Sequence, residues 1–315
     1  MNSNPNVLIL LSTYQGEKYL ADQLDSLISQ TYPHWTLLIR DDSSTDNTTL
    51  LIKKYIEIDH RIHLIEDQLG NIKPIKSFSV LMQHALNRDE NFIFFCDQDD
   101  VWLPDKLSVQ TALLQSMEQQ FGHDTPLLVH SDLRVVDSQL HDIHPSFLQY
   151  EKINRNVNSP LHTLLINNFV TGCTVGINRI LLEQASPIPD QVVMHDWWCA
   201  LCAAASGKID FISQPTVLYR QHQNNTIGSG GFYGKLKSWP ALKKLIQQKK
   251  KNMQLCFKQA EALSLRLPQD HPHHVFLNQF SQLPSQNKFA RYQTMRDLSL
   301  RATNSVRMLL FMVFL

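Results

Sequence analysis

Long hydrophobic runs are absent from this sequence of 315 residues. No apolar run reaches the roughly 20 residues that a membrane-spanning helix needs, and the apolar stretch that ends the chain, Met308 to Leu315, falls well short of that length. Glycine (10 residues) and proline (14 residues) are too few for a low-complexity linker protein. Because 43% of the residues are hydrophobic and 18% are charged, we expect a globular chain.

Cysteine occurs five times, an odd number that fits no complete disulfide framework. Cys199 and Cys202 form a CxxC pair inside an apolar run, and the sequence has no second CxxC. We therefore expect buried thiols in a helix rather than a zinc site. The N-terminus has no basic segment followed by a long apolar core, which predicts that there is no signal peptide. A reducing cytoplasm is the expected compartment.

The zero formal net charge conceals an uneven distribution. Residues 1–234 contain 15 Lys and Arg against 26 Asp and Glu, whereas residues 235–315 contain 14 against 3. An acidic body with a basic tail predicts two roles, and the tail is suited to an anionic partner, either lipid headgroups or nucleic acid. Gly228 to Gly231 interrupts the pattern, so we expect one domain over residues 1–230 and a helical, basic region over residues 231–315.

Strand and helix patterns alternate through the first part of the chain. Val7 to Leu11 is a continuous apolar run, typical of a buried parallel strand. Trp35 to Ile39 and Phe92 to Phe95 are also predicted to be strands, and each of the three is followed by a helical pattern. This alternation predicts an α/β fold in which a mostly parallel sheet is flanked by helices.

Acidic or hydroxyl side chains follow three of the predicted strands. They are Ser12 and Thr13, then Asp41 and Asp42, and then the run Asp97 to Asp100. In parallel sheets, ligands bind beyond the carboxyl ends of the strands. If these three strands are parallel, the polar side chains meet at one edge of the sheet and form a site. This convergence is the strongest prediction that the pattern itself supports.

The carboxylates of Asp97, Asp99 and Asp100 would repel one another at a strand end unless a cation joined them. Carboxylate oxygens bind the hard cations Mg²⁺ and Mn²⁺, which often share their coordination with substrate phosphates. Such an ion would stabilise the charge on a departing diphosphate. The alternative interpretation is an acidic turn with helix-capping aspartates. The neighbouring polar strand ends favour a binding site.

The other candidate residues also have a structural and a functional interpretation. Asp42 is either part of an ordinary helix-capping segment or a carboxylate that accepts a hydrogen bond from the N–H of a nucleotide base. In the second case, Tyr14 would stack on that base. Asp196 is either the N-cap of the helix that follows or a general base in a partly dry setting. His222 is either an ordinary surface or core histidine or a metal ligand through a neutral imidazole nitrogen.

Four segments, taken in order, resemble the family 2 glycosyltransferases. They are Val7 to Tyr14, Leu37 to Asp46, Phe95 to Leu107 and His195 to Trp198. They look like the family's opening strand with its nucleotide loop, its second strand with a base-binding Asp, its DxD motif, and the position of its catalytic base. The resemblance covers roughly residues 6–226.

The resemblance implies a GT-A fold, a domain of the nucleotide-diphospho-sugar transferase type with a Rossmann-like sheet. It also implies an inverting transfer of a sugar from a nucleoside diphosphate, with Mg²⁺ or Mn²⁺ as the cofactor. Asp99 would bind the metal, and His222 matches a histidine that coordinates the metal in some relatives. Asp196 would deprotonate the acceptor hydroxyl. The residues implied to bind the nucleotide sugar are Ser12, Thr13, Tyr14, Asp42 for the base, and Asp97 for the ribose or the sugar.

The segments Cys96 to Trp102 and Asn168 to Cys173 are similar to bacterial rhamnosyltransferases of O-antigen and capsule assembly. This similarity implies dTDP-L-rhamnose as the donor and a lipid-linked saccharide as the acceptor, although relatives that use UDP-sugars share most of these motifs. Two other interpretations stay open. One is a sugar nucleotidyltransferase, which the missing Gly-rich, basic phosphate loop disfavours. The other is a catalytically inactive, membrane-associated scaffold with a GT-A fold.

The basic tail contains seven lysines between Lys235 and Lys251. Trp239, Leu242 and Ile246 fall at helical spacings among them, which predicts a basic amphipathic helix. Such a helix favours an anionic membrane surface, at about 1 kcal/mol per nearby Lys or Arg. Together with the resemblance to bacterial rhamnosyltransferases, this predicts a peripheral protein on the cytoplasmic face of the bacterial inner membrane, without a nucleic-acid partner. The alternative is a helix pair packed on the catalytic domain.

Overall fold

The computed structural model describes residues 5–153, 159–222 and 239–298. The strands in these ranges are β1 Val7–Thr13, β2 Trp35–Asp41, β3 Ile62–Leu64, β4 Phe92–Cys96, β5 Val101–Trp102, β6 Leu127–Val136, β7 Asp142–His144, β8 Gly176–Asn178 and β9 Lys208–Arg220. The helices are α1 Leu20–Ile28, α2 Thr48–Ile58, α3 Lys73–Leu86, α4 Lys106–Phe121, α5 Phe147–Tyr150, α6 Pro160–Leu164, α7 Arg179–Ala185, α8 His195–Ser206, α9 Trp239–Arg266, α10 His274–Ser281 and α11 Lys288–Asp297. The predicted α/β fold is confirmed.

The strands form one sheet in the order β3-β2-β1-β4-β8-β6-β9-β5, with β7 paired to β6. Strands β3, β2, β1 and β4 run parallel to one another, and β6 runs parallel to β9. The sheet is mixed rather than mostly parallel, because β5, β7 and β8 run antiparallel to their neighbours. These three strands have only two or three residues and follow loops or a 3-10 turn, so no crossover helix makes them parallel.

Strand β1 shows how the sheet divides the core into two layers. Leu8 and Leu10 pack with the apolar side chains of α3 and α8, while Ile9 and Leu11 pack with those of α1, α2 and α4. All four side chains are at most 1% exposed. Because helices cover both faces of the strand, its sequence is a continuous apolar run rather than an alternating one.

The described part of the C-terminal region packs on the same core. Phe257 of α9 and Phe280 of α10 join the apolar cluster that contains α8, and their ring centroids lie 5.1 Å apart. Arg266 donates hydrogen bonds to the carbonyl oxygens of Gln184 and Pro187 and lies over the ring of Trp198. The packed-helix alternative therefore describes these helices, whereas contact with a membrane stays a prediction.

Much of the predicted amphipathic pattern lies outside the described residues. This holds for Lys235 and Lys237, for the side chains of Trp239, Leu242 and Ile246, and for the apolar end of the chain. Over the part of the chain that is described, none of the helices combines the length and the apolar character needed to cross a bilayer.

We expect Leu10→Ala to lower the free energy of unfolding by about 2–5 kcal/mol, because it removes a fully buried side chain from the central strand and leaves a cavity. Urea denaturation followed by circular dichroism measures this loss. Leu50→Ala is the matched control, since Leu50 on α2 is 53% exposed, and its effect should stay within about 0.5 kcal/mol. Equal losses in the two variants would contradict this view of the core.

Candidate active site

The carboxyl ends of β1, β2, β4 and β9 meet at one edge of the sheet, beside a cleft of about 690 Å³. The eight site residues predicted from the sequence all line this cleft: Ser12, Thr13, Tyr14, Asp42, Asp97, Asp99, Asp196 and His222. The strand directions therefore bring the predicted residues together as expected. The chemical role of each residue stays a prediction.

Asp42 lies at the end of the cleft formed by β1, β2 and α3, and it is 2% exposed. Its Oδ1 accepts hydrogen bonds from the Arg40 guanidinium at 2.6 Å and from the Ile72 N–H at 2.8 Å, and its Oδ2 accepts one from the Lys73 N–H at 2.9 Å. A carboxylate has about four acceptor positions. One position on Oδ2 is therefore left for a ligand such as a base N–H.

Arg40 is a buried partner of Asp42 that the sequence analysis missed. The guanidinium is fully buried and pairs with both Asp42 and Asp67. It also donates to Ser77 Oγ and to the Gly70 carbonyl oxygen, so it ties β2 to the start of α3. The sequence shows only an Arg before two Asp residues, which gives no sign of contacts with residues some 30 positions away.

Gln98 closes the loop after β1 onto the DxD loop. Its Oε1 accepts a hydrogen bond from the Tyr14 N–H at 2.8 Å, and its Nε2 donates to the Tyr14 carbonyl oxygen at 3.0 Å. A Cβ at Gly16 would come within 2.4 Å of this Oε1, so glycine leaves room for the contact. The residue between Asp97 and Asp99 thus fixes the backbone that presents the exposed Tyr14 ring to the cleft.

Asp99 and His222 lie at the other end of the cleft. Asp99 Oδ2 and His222 Nε2 are 2.8 Å apart, and the His222 ring stacks on Tyr19. Arg220 fixes this pair, because its side-chain Nε donates a hydrogen bond to the Asp99 carbonyl oxygen and its backbone N–H donates one to the Asp100 carboxylate. A carboxylate oxygen and an imidazole nitrogen that face a cleft together are ligands that Mg²⁺ or Mn²⁺ accepts. These residues fit a divalent cation.

Asp97, Asp100 and Cys173 form a second group whose potential ligand atoms lie within 4.8 Å of one another. Burial raises the pKa of Asp97 to about 7, with repulsion from Asp99 and Asp196 adding to the effect. Burial also raises the pKa of the Asp100 carboxyl and of the Cys173 thiol. Because a ligand must lose its proton to bind a metal, the Asp99–His222 pair fits a hard cation better than this buried group.

Asp196 stands at the start of α8 and is 4% exposed. Its Oδ1 accepts a hydrogen bond from the Trp197 N–H at 2.7 Å, and its Oδ2 accepts one from Asn168 Nδ2 at 3.2 Å. Burial raises its pKa to about 6. Such a carboxylate is a stronger base than an ordinary aspartate and is still ionised at neutral pH, which suits a general base.

Comparison with known proteins bears on this cleft. Residues 8–162 match the family model described as Glycosyl transferase family 2. These residues belong to glycosyltransferase family 2. TuaG of Bacillus subtilis, named a teichuronic acid biosynthesis glycosyltransferase, is 30% identical over 174 residues, which are 54% of this chain and 66% of TuaG. RfbG of Shigella flexneri, named a dTDP-rhamnosyl transferase, is 25% identical over 236 residues, which are 70% of this chain and 74% of RfbG.

The fold of this family 2 chain is also that of solved glycosyltransferases. The structure of S. aureus TarS 1–349 with UDP-GlcNAc aligns with a TM-score of 0.56 at 15% identity, covering 93% of this chain and 73% of the TarS 1–349 chain. At that identity the likeness concerns the fold alone. The matched regions span 48% to 66% of the length of the first three curated relatives.

We expect Asp42→Asn to destabilise the protein by about 3 kcal/mol, because the buried Arg40 guanidinium loses one of its two carboxylate partners. The adjacent Asp41→Asn is the matched control. Asp41 accepts hydrogen bonds from Thr13 and Ser44, so its loss should cost only about 1 kcal/mol. Thermal and urea unfolding without nucleotide measure both. Equal destabilisation would show that the pairing with Arg40 is unimportant.

Proposed function

We propose that this protein is an inverting, metal-dependent glycosyltransferase that adds a sugar to a lipid-linked saccharide during the synthesis of a cell-surface polysaccharide such as O-antigen or capsule. The observation that carries the proposal is the position of Asp196. This buried carboxylate lines the same cleft as the acidic loops after β2 and β4, so a base lies where a nucleotide sugar and an acceptor would meet.

As the donor we propose dTDP-L-rhamnose. The support is the resemblance of the DxD segment and of Asn168 to Cys173 to rhamnosyltransferases, together with the similarity to RfbG. Asp42 would accept a hydrogen bond from the thymine N–H through its remaining position on Oδ2, and the exposed Tyr14 ring would stack on the base. Asp97 would contact the ribose or the sugar.

The transfer follows from the position of the base. Asp196 removes the proton from the acceptor hydroxyl, and the oxygen attacks the anomeric carbon from the face opposite the diphosphate. The new glycosidic bond forms as the bond to the diphosphate breaks, which inverts the configuration at that carbon. A divalent cation held by Asp99 and His222 would neutralise charge on the departing diphosphate.

We expect Asp196→Asn to lower the rate of sugar transfer at least a thousandfold, because it removes the general base. Asp99→Ala should also abolish transfer, since it removes a proposed metal ligand. Release of dTDP or UDP from a panel of nucleotide sugars, with Mn²⁺ and an acceptor, measures both. Asp190→Asn is the matched control, since the Asp190 carboxylate is 78% exposed and pairs with an exposed lysine. Full activity of the Asp196 variant would exclude the proposed base.

The stability of the Asp196→Asn variant shows whether activity is lost because the base is missing or because the protein no longer folds. Asp196 has a pKa of about 6 in the folded state against an ordinary value of 3.8, so at pH 7 its charge costs roughly 3 kcal/mol. The neutral asparagine side chain of the Asp196→Asn variant does not bear this cost. The inactive variant should therefore be at least as stable as the wild-type protein at pH 7.

We also propose that the basic C-terminal region holds the enzyme at an anionic membrane surface, where a lipid-linked acceptor would lie. The support is the excess of 14 basic over 3 acidic residues after residue 234 and the apolar end of the chain. The exposed Phe289 and Tyr292 lie one turn apart on α11, the last described helix. Aromatic side chains next to basic residues favour the interface of a membrane.

We expect removal of residues 299–315 to weaken binding to vesicles that contain anionic lipid, because Arg301, Arg307 and the apolar end are lost while the described helices are kept. Co-sedimentation with anionic vesicles measures the effect, with purely zwitterionic vesicles as the control. Undiminished sedimentation of the shortened chain with anionic vesicles would show that this segment is not the anchor.

A further inference from the structure

Asn168 lies in the segment that connects α6 to the 3-10 turn Gly172–Thr174, on the wall of the cleft. Its Oδ1 accepts a hydrogen bond from the Val170 N–H at 2.9 Å. This bond fixes which side of the amide carries the NH₂ group. The Nδ2 atom then donates to Asp196 Oδ2 at 3.2 Å, so the local backbone orients Asn168 and Asn168 in turn contacts the carboxylate.

The carboxylate of Asp196 is held from two directions. The N–H of Trp197 comes from α8 itself, while Asn168 donates from the connecting segment. Among the described residues, Asn168 supplies the side-chain hydrogen bond of this set. Without the Asn168 side chain, Asp196 Oδ2 would lose this donor while Oδ1 kept the Trp197 N–H. The carboxylate would then turn away from its present orientation.

The other titratable groups that face Asp196 do not replace this bond. Asp97, from the loop after β4, repels the Asp196 carboxylate when it is ionised. His195, the preceding residue, is neutral because burial lowers its pKa to about 3, and its ring stacks on Phe78. Cys199, one turn further along α8, keeps its proton because burial raises its pKa.

We infer that Asn168 is a positioning residue that orients the Asp196 carboxylate toward the acceptor and stabilises its ionised form. The inference rests on the proposed function, since it assigns Asn168 to the general base of that reaction. A hydrogen bond to the ionised form of a carboxyl group opposes the effect of burial. Asn168 therefore keeps a strongly buried carboxylate usable as a base at neutral pH.

The first test needs no substrate. The free energy of unfolding of the wild type and of Asp196→Asn is measured from pH 4 to 8, and the difference between them levels off near the pKa of Asp196 in the folded protein. The same pair is measured in the Asn168→Ala background. We expect the levelling-off point to move up by about one pH unit, and by more in an Asn168→Asp background, which adds a like charge. Asn167→Ala, the neighbouring amide, is the matched control and should not move it.

The second test uses the proposed activity. For Asn168→Ala we expect the acid limb of the pH–rate profile to move by the same amount, kcat to fall tenfold or more, and KM for the nucleotide sugar to change less than threefold. Asn168→Ser, which keeps a donor, should recover part of the shift. An unmoved levelling-off point in Asn168→Ala, or an equal shift in Asn167→Ala, overturns the inference. An Asp196→Asn variant that remains active overturns the proposed function instead.

Discussion

The cleft depends on one constraint: the strand directions force several carboxylates to lie at the same edge of the sheet. β1, β2 and β4 are parallel neighbours, and α8 begins beside them, so Asp42, Asp97, Asp99 and Asp196 all face one space. Like charges in a partly buried site repel one another and lose hydration. The hydrogen-bond donors and the positively charged side chains around the cleft therefore stabilise this negative charge.

Two buried arginines supply much of this compensation. Arg40 neutralises charge at one end of the cleft by pairing with Asp42 and Asp67. At the other end, Arg220 holds the loop of Asp99 through the Asp99 carbonyl oxygen and pairs with the Asp22 carboxylate. Both side chains are at most 2% exposed and join elements that are distant in sequence. Because each guanidinium makes several directed hydrogen bonds, it fixes the geometry of a loop as well as its charge. Asp97 and Asp196 have no arginine partner among the described residues, and their pKa values are raised.

The sequence predicted the framework of this site because the framework depends on local patterns. The buried strands β1, β2 and β4 are rich in apolar residues, and the polar residues at or after their carboxyl ends can be identified from the sequence. The directions of the short strands do not follow from such patterns, and here the prediction was wrong. β5, β7 and β8 run antiparallel to their neighbours, so the sheet is mixed rather than mostly parallel.

The contacts that adjust the site could not be predicted, because they join residues far apart in sequence. Gln98 reaches Tyr14 across 84 positions, and Asn168 reaches Asp196 across 28. Each side chain is an ordinary amide in its own segment. Their roles follow only from the three-dimensional arrangement of the loops at the sheet edge, which no periodicity records.

Burial of Asp196 and His195 side by side also has opposite effects on stability in acid. The pKa of His195 is about 3 in the folded protein against an ordinary 6.5, so stability is lost as the pH falls through this interval. The pKa of Asp196 is about 6 against 3.8, so its ionised form costs stability that is regained as the pH falls from 6 to 3.8. Each group changes the free energy of unfolding by about 1.4 kcal/mol per pH unit, with opposite signs. The two changes cancel between about pH 6 and 3.8, the interval that they share. The destabilisation due to His195 remains only outside that interval, so the burial of Asp196 offsets most of the acid sensitivity that the burial of His195 causes.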